Sequence, residues 1–215
     1  MPEQGVETDR RREILGAALA LAEEKGLAAL SMRAVAARVG VTPMALYPHV
    51  GSKDALLDGL VDLLLAQLLP AARSGGGWED RLRAVARAVR GLARRHPETF
   101  GLLLARASVT PDAVRLVDGI YAALLEAGVP PQRVPRLERL VSTAVLGFAE
   151  GEISGRFTPT PDRWDRGRSL GGDAPAHRAL AEVLARPADW DAEFEANLDD
   201  LLHVIRRHAH PAPAS

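Results

Sequence analysis

The sequence contains no cysteine, which excludes disulfides and cysteine-based metal sites and favours a reducing compartment such as the cytoplasm. Aromatic residues make up only 4% of the 215 residues, whereas alanine and leucine abound. Because strands prefer aromatic and β-branched residues, this composition favours packed helices over sheets. No apolar run reaches the roughly 18 uncharged residues of a membrane span, and the first residues lack the apolar core of a secretion signal. The net charge of −1 gives no global indication of a nucleic-acid partner.

Apolar residues recur at helical spacing along most of the chain and predict an all-α protein. Glycines at positions 26, 40 and 128 are the expected stops of three of these helices. We predict a loop over residues 155–175 and an irregular tail after residue 208. Helices are predicted over about residues 9–25, 32–39, 42–47, 53–69, 78–95, 98–106, 111–127, 135–154, 176–185 and 188–208.

The stretch from Gly40 to Leu57, GVTPMALYPHVGSKDALL, contains prolines and glycines that would interrupt a continuous core helix. Thr42 is a predicted N-cap, Pro43 fits the first helical position, and Pro48 should stop the helix within two turns. Three short helices followed by a longer one, with a glycine turn between the second and third, are typical of a helix-turn-helix. That arrangement predicts a DNA-binding surface.

Phosphate contacts require hydroxyls, imidazoles, cations and free backbone N–H groups. Tyr47, His49 and Lys53 supply the first three. Lys53 also begins a helix after the predicted cap Ser52, where the helix dipole and open amides attract an anion.

The segment SMRAVAARVGVTPMALYPHVGSKDALLDGL, residues 31–60, resembles the tetracycline-repressor (TetR) family of bacterial transcription regulators. The similarity rests on a serine cap, a Gly-Val turn, a Leu-Tyr pair, a histidine two residues on, and a lysine at the next helix start. LYPHVGSKDALLDGL is particularly close to the tetracycline-repressor branch itself. The resemblance implies an N-terminal three-helix helix-turn-helix domain, residues 8–52, followed by a helical ligand-binding and dimerisation domain, residues 53–210.

The resemblance also implies DNA-contacting roles for one set of residues. Tyr47, His49 and Lys53 would hold phosphates, and Arg33 would reach a base or a phosphate. The positions expected at the major groove are Thr42, Pro43, Met44 and Ala45.

The recognition segment departs from the usual chemistry of base reading, because it has no Arg, Asn or Gln between Thr42 and His49. Base recognition would depend on Arg33, on the Thr42 hydroxyl and on apolar contacts with thymine methyl groups. DNA shape is expected to supply part of the specificity. The arginines at positions 10–12 fit either a solvated helix start or a contact along the DNA.

The second domain carries weaker signals. A ligand pocket is expected among its middle helices, with the candidates Phe100, Leu103, Arg106, Tyr121, Phe148 and Glu152. A two-fold partner is expected on the two long late helices, although a monomer's core explains the same pattern. The candidates for that interface are Leu137, Val141, Val145, Phe194, Leu198, Leu201, Leu202 and Ile205. The histidines at positions 177, 203, 208 and 210 have no recognised metal spacing, so neither a metal nor a cofactor is expected.

The sequence therefore predicts a cytoplasmic, ligand-responsive transcriptional regulator that binds double-stranded DNA. The expected form is a homodimeric repressor on a palindromic operator, released by a small-molecule effector. The alternative is a helical scaffold or carrier with a vestigial helix-turn-helix. An enzyme is disfavoured, because no nucleophile triad, paired carboxylates or glycine-rich phosphate loop occurs in a suitable context.

Overall fold

A computed structural model describes residues 3–106, 110–157, 174–184 and 186–209, with side chains from residue 9 onward. Every regular element in these ranges is a helix, and no strand occurs among them. The all-α prediction is therefore confirmed. The predicted loop lies mostly outside the described residues, as do His210 and the tail.

Four helices form the N-terminal part of the chain. They are α1 (Glu3–Lys25), α2 (Met32–Val39), α3 (Tyr47–Val50) and α4 (Lys53–Ala66). A 3₁₀ turn, Pro43–Ala45, leads into α3. α4 ends earlier than predicted, because Pro70 lies in the first turn of a separate short helix and does not terminate a longer one.

Eight further α-helices follow among the described residues. They are α5 (Leu69–Ala72), α6 (Trp78–Arg95), α7 (Leu102–Ala105), α8 (Pro111–Glu126), α9 (Val134–Ile153), α10 (Pro175–Ala179), α11 (Ala181–Leu184) and α12 (Trp190–Ala209). The predicted helix over residues 98–106 is reduced to the four residues of α7, preceded by turns. The helix predicted over residues 176–185 is divided into α10 and α11.

Helix α4 packs into two separate hydrophobic cores. Its first half, with Leu56 and Leu60 fully buried, closes the N-terminal core formed with α1, α2 and α3. Its second half, from Leu64, packs into the larger core formed by α6, α8, α9 and α12. The domain boundary at residues 52 and 53 stays a prediction, since α4 is shared between the two cores.

Gly59 allows α1 and α4 to pack closely. A Cβ at this position would lie 2.6 Å from the Cδ2 of Leu15, closer than any real contact. The absence of a side chain at Gly59 therefore leaves the space that the Leu15 side chain occupies against α4.

A partly buried ion-pair cluster joins α6, α9 and α12. The Arg90 guanidinium donates to both carboxylate oxygens of Glu152, at 2.8 and 2.7 Å, and to the carbonyl of Trp190 at 3.1 Å. It also lies 4.7 Å from the ring centroid of Phe194, a cation–π contact. The pKa of Glu152 lies below its ordinary value, chiefly because Arg90 donates hydrogen bonds to the carboxylate. Burial raises this pKa, and the hydrogen bond from Arg94 lowers it further. The cluster fixes α12 against the helices that precede it.

We expect Arg90→Ala to lower the free energy of unfolding by about 3 kcal/mol, because it removes one of the two arginines that hold the half-buried Glu152 among the described residues. Arg87→Ala is a matched control on the same helix: it breaks an exposed pair with Glu195. Its expected cost is below about 1 kcal/mol. Urea unfolding at one fixed protein concentration measures both, and equal losses would contradict a special role for Arg90.

Candidate nucleic-acid interface and interior cavity

The turn between α2 and α3 is built by local hydrogen bonds and one glycine. The Ser31 hydroxyl accepts a hydrogen bond from the Ala34 amide at 3.2 Å and caps α2. At the other end Gly40 adopts φ 77°, a left-handed conformation that L side chains rarely take. The Val41 amide then donates to the Ala36 carbonyl at 3.0 Å. The result is the helix-turn-helix that the sequence predicts.

The recognition segment differs from the prediction in how it begins and ends. Pro48 was expected to stop the helix, and this is wrong: it lies in the first turn of α3, where its missing N–H needs no partner. The helix ends instead at Gly51, with φ 70°. Thr42 occupies the predicted N-cap position, with extended backbone, but its side chain makes no capping hydrogen bond to the 3₁₀ turn.

Two buried residues hold the recognition segment, and the residues between and before them face outward. Leu46 and Val50 are 0% and 3% exposed in the N-terminal core. Met44 is 74% exposed and Tyr47 is 45% exposed. The other predicted groove residues, Thr42, Pro43 and Ala45, are exposed as well.

His49 and Lys53 lie on either side of the loop that joins α3 to α4. His49 is half-buried, its Nδ1 is buried without a hydrogen-bond partner, and its Nε2 bonds to none of the described residues. Lys53 is exposed at the first position of α4. The preceding Ser52 caps that helix, accepting from the Ala55 amide at 3.1 Å. A phosphate at this point would meet a cation and a helix N-terminus together.

Of the two arginines on α2, Arg38 forms an ion pair among the described residues and Arg33 does not. Arg33 is exposed at the start of the helix and forms no ion pair with any described residue. Arg38 instead donates to both oxygens of Glu24, at 2.7 and 2.5 Å, and these hydrogen bonds lower the pKa of Glu24. Arg33 is thus the α2 cation that is free to contact DNA.

An apolar cavity of about 190 Å³ lies between the end of α4 and helices α6, α8 and α9. Leu65 and Leu68 line it from the α4 side. The cavity wall is otherwise mostly Leu, Val, Ile and Ala, with two polar exceptions on α9. These are Glu138 and Ser142, whose hydroxyl donates to the Glu138 carboxylate at 2.6 Å.

Sequence reasoning missed Glu138 and Ser142. They are four residues apart, so they share one side of α9, and they lie beside the apolar positions Leu137, Val141 and Val145. A carboxylate and a hydroxyl on the apolar side of a helix are the signal that could have identified them.

Leu103 is the one predicted ligand residue that lines the cavity. Phe100 is fully buried in the larger core, and Tyr121 packs against that core from its edge. Neither is part of the cavity lining.

The other three predicted ligand residues have partners elsewhere. The Arg106 Nε donates to Asp58 on α4 at 2.7 Å. Phe148 and Glu152 belong to the Arg90 cluster. Ligand contacts at all these positions stay predictions.

The residues predicted at a dimer interface lie mostly inside the chain's own core. Val141 and Leu201 are half-buried, and the remaining six are buried: Leu137, Val145, Phe194, Leu198, Leu202 and Ile205. On the outward side of α9, Leu140 is 42% exposed, whereas the outward side of α12 carries charged residues such as Asp199 and Asp200. For α9, the sequence pattern cannot tell which of the apolar residues face the core.

The described residues contain no cluster of three or more His, Asp or Glu side chains that could hold a metal ion. No helix in the described ranges is long and apolar enough to cross a membrane.

The exposed recognition segment, the capped α4 and the helical domain behind them define a DNA-binding helix-turn-helix protein. Residues 14–60 match a family model described as bacterial regulatory proteins of the tetR family. Residues 82–170 match one described as a tetracyclin repressor-like C-terminal domain.

Individual proteins agree with the family models. An HTH-type transcriptional regulator of Saccharopolyspora erythraea is 31% identical over 181 residues, 84% of this chain and 71% of that protein. The HTH-type transcriptional repressor DrrR1 of Streptomyces coeruleorubidus is 30% identical, over 65% of this chain and 52% of its own length. Streptomyces coelicolor ActR in complex with actinorhodin has the same fold, with a TM-score of 0.77 at 23% identity over 94% of this chain and 97% of ActR.

The chain belongs to the TetR family of bacterial transcription regulators. The predicted family and the predicted class, a DNA-binding regulator and not an enzyme, are confirmed.

We expect Gly40→Ala to lower the free energy of unfolding by about 1 kcal/mol, because alanine is strained at positive φ. Gly16→Ala, inside α1, should instead raise it by about 0.5 to 1 kcal/mol. A Cβ meets nothing within 4 Å at either position, so the comparison isolates backbone conformation from packing. Urea unfolding of both variants measures the effect; stabilisation by both would show that the turn does not need positive φ.

Proposed function

We propose that this protein is a homodimeric repressor that binds a palindromic operator and leaves it when a small molecule occupies the interior cavity. The observation that carries the proposal is the position of α4. Lys53 begins this helix at the candidate phosphate contact, and Leu65 and Leu68 lie at its other end against the cavity. One helix of 14 residues, about 21 Å long, therefore connects the two sites.

The DNA-contacting part of the proposal rests on exposure and on the lack of competing partners. Arg33, His49 and Lys53 have no ion pair among the described residues, and Tyr47 presents nearly half of its surface to solvent. These groups suit the DNA backbone. Met44, the most exposed large apolar residue of the segment, suits contact with a thymine methyl group.

Polar contacts join the DNA-binding helices to the second domain away from the cavity. Glu23 at the end of α1 accepts hydrogen bonds from the Thr99 hydroxyl at 2.5 Å and from the Glu98 amide at 3.2 Å. Gln67, just after α4, lies 3.4 Å from the Nε2 of His96. Burial lowers the pKa of His96, so this histidine is neutral at pH 7. A shift of α4 relative to α6 would reach α1 through these contacts.

The small size of the cavity explains how an effector could favour one conformation of the protein over another. At about 190 Å³ it is smaller than the ~300 Å³ at the lower end of typical ligand pockets. A larger molecule fits only if the helices around the cavity move apart, and the end of α4 is one of its walls. Such a ligand binds the separated form better than the compact one, and this difference in affinity is what shifts the population.

The outward sides of α9 and α12 support a dimer. Leu140 and Ala144 on α9 line an open groove together with Leu201 and Val204 on α12. A second copy would bury this apolar groove, and two-fold symmetry would pair the recognition helices with two half-sites.

The relatives are consistent with these roles. DrrR1 is named a repressor, and ActR, which has the same fold, is in complex with actinorhodin. We infer that this chain, acting on chromosomal DNA, works in the cytoplasm.

We expect Lys53→Ala to weaken binding to every duplex and to reduce the slope of log K against log salt by about one unit per lost phosphate contact.

Tyr47→Phe should weaken binding about fivefold without changing the slope, because it removes a neutral hydrogen bond. Met44→Ala should alter base preference more than affinity. Fluorescence anisotropy on duplexes selected from a random pool measures all three.

The control for charge is Lys25→Ala, because Lys25 is the other lysine of the chain and is exposed at the far end of α1. It should leave the salt slope unchanged. No salt-dependent binding by the unaltered protein would contradict the proposal as a whole.

We expect Ala144→Arg to convert the dimer to a monomer, because it places a charge in the apolar groove. Ala122→Arg on α8 is the matched control at another exposed alanine, and it should stay dimeric. Light scattering during size-exclusion chromatography distinguishes them. A monomeric unaltered protein, or a dimeric Ala144→Arg variant, would contradict the assignment of this interface.

A further inference from the structure

Glu138 is the carboxylate of the apolar cavity, and it lacks a cationic partner among the described residues. It is half-buried, and the one hydrogen bond that its side chain makes comes from Ser142. An ionised carboxylate beside apolar walls is costly unless an opposite charge or several donors compensate it.

Two other half-buried carboxylates of this arginine-rich chain are compensated. Glu152 is held by Arg90 and Arg94. Glu23 receives hydrogen bonds from Thr99 and Glu98. Glu138 lacks compensation of this kind.

Glu150 is a second carboxylate on α9, and it does not belong to the cavity. It lies 12 positions after Glu138, which puts it about 120° around the helix. Its Oε2 is buried without a hydrogen-bond partner and lies near Gly101, just before α7. Among the described residues that line the cavity, Glu138 is therefore the one acidic side chain.

We infer that the effector of this protein is an apolar molecule bearing a protonated amine, with the amine held by Glu138 and the apolar body lying against the Leu and Val walls. This inference rests on the proposed function, since it names the ligand class of the proposed effector cavity. The amine donates a charge-assisted hydrogen bond to the carboxylate and replaces the missing counter-charge. A neutral analogue lacks that charge, and a carboxylic acid is repelled by it.

Three matched probes test the inference: 4-phenylbutylamine, 4-phenylbutanol and 4-phenylbutyrate. They share one apolar body and differ in the charge of the head group. Isothermal titration calorimetry at pH 7 on the full-length protein should give the amine a dissociation constant about tenfold to a hundredfold lower than the alcohol, and the acid the weakest binding.

Substitutions test whether Glu138 causes the preference for the amine over the alcohol. Glu138→Gln should bring the amine to the affinity of the alcohol and leave the alcohol unchanged. Ser142→Ala should keep the preference, because the carboxylate remains. Glu193→Gln, which removes an equal charge from an exposed site on α12, is the matched control and should change nothing. Circular dichroism melts verify that each variant is folded.

The outcomes separate the inference from the proposed function. Equal binding of amine and alcohol, a preference that survives Glu138→Gln, or no binding of any probe at millimolar concentration would overturn the inference. DNA release is measured separately by anisotropy with each probe. An amine that binds through Glu138 but leaves the DNA complex intact supports the inference and counts against ligand release in the proposed function.

Discussion

Burial of a single helix in two cores is the constraint on which the rest of this structure depends. The first half of α4 fills the core of the DNA-binding helices, and its second half fills the core of the larger domain. Gly59 brings α1 into close contact with it, and Arg106 pairs with it at Asp58. Because interiors are close-packed, α4 cannot shift at one end without disturbing the other. This coupling is what a ligand-controlled DNA-binding protein needs.

The two ends of α4 differ in chemistry. At the start, a serine cap, an exposed lysine and a helix N-terminus form a surface that suits an anion. At the end, leucines face an apolar cavity with one uncompensated carboxylate on the opposite wall. The Arg90 cluster stabilises the far side of that domain, so that α9 and α12 are fixed while α4 borders the cavity. The arrangement places the adjustable contact between the two sites.

The helices and the helix-turn-helix could be predicted from sequence because their signals are local. The cap at Ser31, the stop at Gly40 and the cap at Ser52 each act within one helical turn. The errors were local as well: a proline such as Pro48 is compatible with both the end and the first turn of a helix. The spacing alone did not decide between them.

The sequence by itself determined the all-α class and the family, and it pointed to the exposed residues that we propose contact DNA, since these follow from short-range patterns and from a continuous motif. The tertiary structure decided which apolar residues of α9 face inward, because Leu137 is buried and Leu140 is exposed on the same helix and packing alone distinguishes them. It also decided that Arg106 and Glu152 pair with other side chains while Glu138 faces the cavity. A carboxylate's partner comes from a distant part of the chain, and only the fold brings the two together.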